Sequence, residues 1–264
     1  MQLKNRYSLL LAGLLLPGFT IMAQESYLAV LQPGSSAIFQ HLNLKSAEIT
    51  GQSRFSYQIM SRDGSSYIVE NNENSKPDGE VFTRKTLWFE ANSGVAKWYE
   101  EQDLRKNFRI SSSYSGEIMY TRLDQDGEVL EFETNLNREQ AVPFELVIFF
   151  LRKNLQQILQ NKAYAFNLFL PLLAIELEKK GLLRSMSMIR MRVEAQPERQ
   201  LKTPLGDLKA QTILLSPQSG FLRALLPREK THFEFTFSAA APYHLLQFEE
   251  GTTRHVLTEL QQPE

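Results

Sequence analysis

Cysteine is absent from the 264-residue sequence, and neither sign of charge is in excess. The lack of cysteine excludes disulfides, thiolate metal sites, a cysteine nucleophile and the lipid-bearing cysteine of a bacterial lipoprotein. Lys plus Arg total 29, against 30 for Asp plus Glu. Because nucleic-acid-binding proteins normally carry a basic face, this near-neutral composition argues against a nucleic-acid partner.

Catalytic and cofactor-binding motifs are also missing. There is no G-x-S-x-G elbow, no phosphate-binding loop and no G-x-G-x-x-G sequence. His244 and His255 are predicted to face each other across a C-terminal hairpin around Glu249 and Glu250, but this spacing matches no metal-ligand motif. Adjacent carboxylates on a strand point to opposite faces, so they are not expected to cooperate in acid–base chemistry. We therefore expect no enzymatic activity, no metal site and no cofactor.

The N-terminus has the pattern of a secretory signal peptide. Two basic residues precede an apolar run at residues 9–16, and Ala23 supplies a small residue at the cut site. The alternative is an uncleaved membrane anchor, but a spanning helix needs about 20 apolar residues and this run is shorter. The sequence therefore predicts a cleavable signal peptide at residues 1–23, with cleavage after Ala23.

The mature chain is predicted to be a periplasmic protein without a transmembrane helix. Its longest apolar stretch, residues 168–177, is too short to span a membrane. Secreted eukaryotic domains commonly use disulfides, so an exported chain without cysteine favours a bacterial periplasm. Residues 24–264 are expected to form a β-rich exported domain, either as one unit or as two lobes (24–140 and 141–264).

An antiparallel meander is predicted from about residue 40 to residue 135. Phe55, Tyr57 and Ile59 alternate with polar residues, as a strand with one buried face requires. Asp63 and Gly64 then form a hairpin turn signal, and similar alternating runs follow, each closed by Gly, Asn or Asp. Such a sheet is expected to twist and curl.

A helical period replaces the alternation after Pro143. Apolar residues recur at three- and four-residue steps from Phe144 to Leu159, which predicts an amphipathic helix that ends at Asn161. Residues 173–183 are ambiguous between helix and strand. Strands are predicted again at residues 164–170, 186–193, 208–215, 232–237, 243–248 and 255–260. The predicted fold class is mainly β (α+β), a curved antiparallel β-meander or half-barrel with one central amphipathic helix.

The second half of the chain resembles an uncharacterised family of exported bacterial proteins. The resemblance spans residues 128–260 and rests on PFELVIFFLRKNL, on TPLGDLKAQTILL and on the terminal pair PYHLLQF and TRHVLTEL. Leu151 and Arg152 are similar to the family's apolar segment beside an arginine, whereas residues 173–183 depart from its pattern. The resemblance implies a curved sheet similar to periplasmic lipoprotein carriers that hold acyl chains. It implies no catalytic residues.

An apolar groove enclosed by the sheet, the helix and a methionine-rich strand is the candidate ligand site. Methionine adapts to irregular apolar shapes, although core packing would use the same residues. The candidate lining residues are Phe144, Ile148, Leu151, Leu155, Met186, Met188 and Met191. We expect a non-enzymatic protein that binds a lipid or another envelope component. The alternatives are an envelope protein-interaction module and a hydrolase with a dispersed site that uses His244 or His255.

Overall fold

The computed structural model describes residues 26–161, 164–179, 181, 187–220 and 231–263. The predicted signal peptide and its cleavage site lie outside these residues and stay predictions. Met186 also lies outside them. Among the described residues, no helix has the length and apolar character needed to cross a membrane.

The described residues form one sheet of sixteen strands. The strands are β1 (Ser36–Asn43), β2 (Ile49–Arg62), β3 (Ser65–Ser75), β4 (Val81–Glu90), β5 (Ala96–Asp103), β6 (Phe108–Ser115), β7 (Ile118–Gln125), β8 (Glu128–Asn135), β9 (Ala141–Pro143), β10 (Tyr164–Phe169), β11 (Met188–Ala195), β12 (Arg199–Thr203), β13 (Gly206–Pro217), β14 (Phe233–Ser238), β15 (Leu245–Glu250) and β16 (Thr253–Gln261). Their order across the sheet is β8-β7-β6-β5-β4-β3-β2-β1-β16-β15-β14-β13-β11-β10-β9, and β12 pairs with β13. The sheet is curved and unclosed, which confirms the predicted mainly β fold.

The predicted meander is confirmed for β1 to β8, because each of these strands pairs antiparallel with the next. Its tight turns follow the turn chemistry of the sequence. Asp63 and Gly64 both have positive φ, and so do Asp126 and Gly127. Two positive φ values are what a two-residue type I′ hairpin needs.

The first and last strands join the two halves of the chain. β1 pairs antiparallel with β16, from Ser36 opposite Gln261 to Asn43 opposite Thr253. The described parts of residues 24–140 and of residues 141–264 therefore contribute to one continuous sheet. This long-range pairing places the concave sides of the N-terminal meander and of the C-terminal strands around a common interior.

The central helix is confirmed where the sequence places it. A 3-10 turn, Phe144–Leu146, follows Pro143 and leads into α2 (Val147–Gln160). A short helix that the sequence did not predict, α1 (Leu136–Glu139), lies earlier in the chain, between β8 and β9. At the C-terminus of α2 the Gln157 carbonyl oxygen accepts hydrogen bonds from the Asn161 side chain at 2.6 Å and from the Asn161 backbone N–H at 3.2 Å. We call residues 144–160 the α2 segment.

The α2 segment packs into the interior of the sheet. Its buried side chains are Leu146, Val147, Phe149, Phe150, Leu151, Arg152, Leu155 and Ile158. Phe149 contacts Phe89 of β4 with ring centroids 4.9 Å apart, and Phe150 contacts Phe166 of β10 at 4.8 Å. The helix therefore connects strands from both halves of the chain in one core.

The described N-terminal segment is docked on the same core. Tyr27 is buried against Phe89 and Phe149, and its backbone N–H donates to the Gly94 carbonyl oxygen at 3.0 Å. Gly94 has a φ of +68°, and a Cβ there would lie 2.5 Å from the Leu28 backbone nitrogen. Glycine is required at this turn by both its conformation and this close approach.

Residues 173–179 of the ambiguous segment belong to a helix, α3 (Pro171–Lys179), whereas residues 180, 182 and 183 lie outside the described residues. Pro171 is its first residue, a position where the missing N–H of proline costs nothing. Ala174 and Ile175 are buried in the main core. The sequence left this segment open because it is apolar on most sides and therefore has no clear period.

Candidate functional site

A cavity of about 190 Å³ lies between the concave face of the sheet and the first part of the α2 segment. Strands β1 to β5 form one wall, and β14 to β16 form the other. Its volume exceeds that of an apolar protein cavity of about 150 Å³ that binds benzene. We call this cavity the groove, and it is the candidate binding site.

Aromatic side chains form the apolar part of the groove. The ring of Phe39 lies 5.4 Å from Phe55 and 6.0 Å from Phe248, both in edge contacts. The ring of Phe144 in the α2 segment lies 5.3 Å from that of Phe233 on β14. Further apolar lining comes from Ala37, Leu87, Val147, Ile148, Phe149, Phe235, Leu245, Leu257 and Leu260.

A buried arginine and a carboxyl group both line the polar part of the groove. Arg152 of α2 is 7% exposed, and its Nη2 donates to the Pro242 carbonyl oxygen at 3.1 Å. Its Nε is buried, with no hydrogen-bond partner among the described residues. The Tyr57 hydroxyl donates to the carboxylate of Glu70. Burial raises the pKa of Glu70 to about 7, although the charge of Arg152 acts against this shift.

A second polar cluster lies beside the first. The Tyr114 hydroxyl donates to Glu145 Oε1 at 2.7 Å, and burial raises the pKa of Glu145 to about 7. On β5, the Tyr99 hydroxyl donates to Glu101 Oε2 at 2.6 Å, and Lys85 Nζ lies 3.3 Å from the same oxygen. The polar lining thus offers two carboxyl groups that are close to half-protonated at neutral pH and an ion-paired lysine.

Two histidines, His41 of β1 and His255 of β16, pack together beside Phe248. The ring of His255 stacks on Phe248 at 3.9 Å, and its edge meets the ring of His41 at 4.3 Å. His41 Nε2 lies 2.5 Å from Ser53 Oγ. Burial lowers the pKa of His41 to about 4 and that of His255 to about 3. Both rings are therefore neutral at pH 7.

The predicted pairing of His244 with His255 is wrong. Phe248 is the residue opposite His255 in the β15–β16 pair, and His244 precedes β15. His244 Nε2 instead lies 2.9 Å from Gln262 Nε2. Within the described parts of the chain, no three His, Cys, Asp or Glu residues are grouped to hold a metal ion.

The structure separates the four helix residues that the sequence proposed as ligand contacts. Phe144 and Ile148 line the groove, whereas Leu151 and Leu155 are fully buried in the main core. Residues four apart on a helix share a face, so Arg152 follows Phe144 and Ile148 into the groove. Whether Phe144 and Ile148 contact a ligand stays a prediction.

The methionine-rich strand does not reach the groove at its described positions. Met191 is buried in the main core, and Met188 is partly buried against it. Met186 lies outside the described residues. Since β11 pairs with β10 and β13, these side chains lie on a part of the sheet away from β1 to β5.

Sequence reasoning missed the polar side of the groove lining, Glu70, Lys85, Glu145 and Arg152, which we call the polar wall. The sequence did contain a signal for the strand residues of this wall, because they are charged residues at positions where the alternation along the strand points the side chain inward. Lys85 alternates with the buried Thr83 and Leu87, and Glu70 alternates with the buried Ile68 and Asn72. A charge in the buried register of a strand is costly unless it is paired, and such positions mark candidate functional groups.

Stability is expected to fall between pH 5 and pH 8 through Glu145. Burial raises its pKa from 4.5 to about 7, so between these values the carboxyl group is ionised in the unfolded chain and protonated in the folded protein. The folded state thus loses relative stability as pH rises through this window. Glu145→Gln should reduce this loss by about 1–2 kcal/mol, after allowance for solvent screening. Urea unfolding at the two pH values measures it.

The matched control for this measurement is Glu259→Gln, on the exposed side of β16. The lowered pKa values of His41 and His255 act in the opposite direction, because they stabilise the protein above pH 6.5 and cease to do so as pH falls toward 4. Both variants keep these histidines, so their contribution cancels in the comparison. An equal pH response in both variants would show that the Glu145 environment is not desolvating.

Comparison with protein families finds no match, and comparison with curated proteins finds none either. Two solved structures resemble the chain at 8% identity with TM-scores of 0.34. One is a protein assigned as exported, with a YmcC-like fold, from Bacteroides fragilis; the match covers 88% of this chain and 97% of that chain. The other is assigned as a lipoprotein of Parabacteroides distasonis, with 88% and 98% covered. Likenesses this distant say nothing about a ligand.

Proposed function

We propose that this chain is a non-enzymatic protein of the bacterial cell envelope that binds an amphipathic molecule, such as a lipid, in the groove. The observation that carries the proposal is the mixed lining, in which an aromatic part adjoins a polar part. Ligand sites are typically concave and mostly apolar, with a few polar groups that fix orientation. A periplasmic location after cleavage at Ala23 belongs to this proposal and is supported by the signal-peptide pattern.

The polar wall favours an amphipathic ligand over a plain hydrocarbon. A hydrocarbon that covered Arg152, Glu70 and Glu145 would remove water from them and offer no hydrogen bonds in return. Each polar group left unsatisfied in this way costs about 1–3 kcal/mol. A ligand therefore gains most when its apolar part covers Phe39 and Phe55 and its polar head meets the polar wall.

The charges on the polar wall favour a head group without net charge. Lys85 is ion-paired with Glu101, and Arg152 attracts Glu70. Glu145 has a pKa raised to about 7 by burial, so it is close to half-ionised at neutral pH and can donate or accept a hydrogen bond. A neutral or zwitterionic head with hydroxyl or amide groups matches this wall.

Native mass spectrometry of the mature protein, exported and gently purified, tests the proposal. A lipid-sized adduct is expected on the wild type, and solvent extraction identifies its class. Ile148→Trp enlarges a groove-lining side chain and is expected to abolish the adduct. Leu159→Trp makes the same kind of change on the exposed side of the same helix and should leave the adduct in place.

A bare mass for the wild type, together with no binding of a fluorescent acyl probe to the wild type, would contradict the proposal. Loss of the adduct in both tryptophan variants would place the ligand outside the groove. Retention of the adduct in Ile148→Trp would do the same. Circular dichroism of both variants verifies that they remain folded.

A hydrolase is the second candidate, because Ser53 on the groove wall contacts His41. Two features make hydrolysis a weaker candidate than ligand binding. The Ser53 hydroxyl donates to the Asn74 side chain, and burial lowers the pKa of His41 to about 4, which makes it a weak base. Ester hydrolysis by the wild type that Ser53→Ala abolishes, with ligand binding retained, would favour the hydrolase.

A further inference from the structure

A second concave feature lies on the opposite, outer face of the sheet. It is a depression of about 420 Å³ on strands β5 to β8. Its principal lining residues are Trp98, Ser111, Ser113, Tyr120, Arg122 and Glu131. None of them lines the groove, so the two features are separate.

The strand register explains the shape of this depression. Ser113 lies directly between Trp98 and Tyr120, since it pairs with Trp98 on one side and with Tyr120 on the other. A small side chain on β6 therefore separates two large aromatic ones. Neighbouring strands are about 4.8 Å apart, so the two aromatic positions are separated by roughly 10 Å across the sheet. The result is a floor of serine between two aromatic walls.

The two aromatic side chains are accessible to solvent. Trp98 is 36% exposed and Tyr120 is 45% exposed. Their chain neighbours Tyr99 and Thr121 are buried, as the alternation of side chains along a strand requires. Exposed aromatic residues that occur together on a surface commonly mark a binding site.

Hydrogen-bonding groups line the depression beside the aromatic residues. In the neighbouring row, Ser111 lies opposite Arg122, and Arg122 lies opposite Glu131. Arg122 Nη1 contacts Glu131 Oε1 at 2.5 Å, which holds a planar guanidinium and a carboxylate side by side at the surface. Together with the serine hydroxyls, these groups supply both donors and acceptors.

We infer that this depression binds a saccharide without acidic groups, with two of its pyranose rings placed on Trp98 and Tyr120 and one further ring between them over Ser113. A pyranose ring has apolar C–H faces and a rim of hydroxyl groups. Its faces match the aromatic rings, whose π faces are electron-rich, and its hydroxyls match Arg122, Glu131 and the serines. The guanidinium of Arg122 already forms an ion pair with Glu131, which disfavours an acidic saccharide, because its carboxylate would compete with Glu131 for this cation.

The aromatic row continues beyond the depression. Trp88 lies opposite Trp98 on β4, and the ring of Tyr67 lies 5.3 Å from that of Trp88. Oligosaccharides longer than a trisaccharide are therefore expected to bind more tightly than a trisaccharide. The chain has two tryptophans in total, and both lie in this row, so intrinsic fluorescence reports directly on occupancy.

Titration of the mature protein with cellohexaose and with chitohexaose, followed by tryptophan fluorescence and calorimetry, tests the inference. Saturable binding of at least one of them by the wild type is expected. Trp98→Ala and Tyr120→Ala should each weaken it about tenfold. Val129→Ala removes an apolar side chain that is 44% exposed on β8 outside the depression, and its affinity should equal that of the wild type.

Three results would overturn the inference. They are no saturable binding of either oligosaccharide by the wild type, unchanged affinity in a Trp98→Ala/Tyr120→Ala double variant that retains the wild-type circular dichroism, and tighter binding of hexagalacturonate than of the neutral oligosaccharides. Ile148→Trp, which fills the groove, should bind the oligosaccharide as the wild type does. The lipid proposal and the saccharide inference can therefore fail separately.

Discussion

Phe150→Ala is expected to lower the free energy of unfolding by about 3–5 kcal/mol. Phe150 is 1% exposed, and its ring contacts Phe166 at 4.8 Å and Tyr164 at 6.3 Å. Truncation leaves a cavity between α2 and β10 that rigid neighbours fill only in part. Natural domains are typically stable by about 5–15 kcal/mol, so the loss is a large fraction of the total. Urea unfolding followed by circular dichroism measures it.

Leu159→Ala on the same helix is the matched control. Leu159 is 37% exposed, and its truncation is expected to change stability by about 0.5 kcal/mol or less. Similar losses for the two variants would contradict the burial of α2 inside the curved sheet. That result would also contradict the helical side of the groove lining, because Ile148 and Arg152 line the groove from the same helix.

The second large effect concerns Arg152, and it depends on pH. Arg152→Met is expected to destabilise the protein by about 1–3 kcal/mol more at pH 8 than at pH 5. At pH 8 Glu70, whose pKa burial raises to about 7, is mainly ionised and is stabilised by the charge of Arg152. At pH 5 the carboxyl group of the folded protein is protonated and needs no counter-charge. Urea unfolding at both pH values measures the difference.

A double variant separates this electrostatic effect from lost packing. Arg152→Met also removes the hydrogen bond to the Pro242 carbonyl oxygen, but that loss is the same at both pH values. In a Glu70→Gln background the additional loss at pH 8 is expected to disappear, since no carboxylate remains to be stabilised. If the pH dependence of the Arg152→Met effect persists in that background, Glu70 is not the partner of Arg152.

Local patterns in the sequence were sufficient to predict the meander and the central helix. The meander follows from strict alternation, and its turns follow from residues such as Asp63 and Gly64 that tolerate positive φ. The helix follows from a three- and four-residue period between Pro143 and Asn161. Each of these signals acts within a few residues of the chain, so no knowledge of distant contacts was needed. α3 was missed as a helix because its apolar residues show no clear period.

The composition of the candidate site required the tertiary structure. The sequence assigned Leu151 and Leu155 to the groove, but they belong to the core, and it did not identify Arg152, Glu70 or Lys85 as groove residues. Periodicity shows which side chains point inward. It does not show which inward patch is filled by a neighbour and which stays open, because that depends on what packs against it.

The sequence by itself determined the candidate signal peptide, the β-rich class and the central helix, because composition and short-range period specify these features. Only the tertiary structure decided where the open space lies. The pairing of β1 with β16 brings His41 beside His255 and the Phe39 ring to the Phe248 ring. The register of β5, β6 and β7 places Trp98 and Tyr120 on either side of Ser113. Both arrangements come from hydrogen bonding between strands. The pairing of β1 with β16 joins residues far apart in the chain, which a local pattern cannot encode.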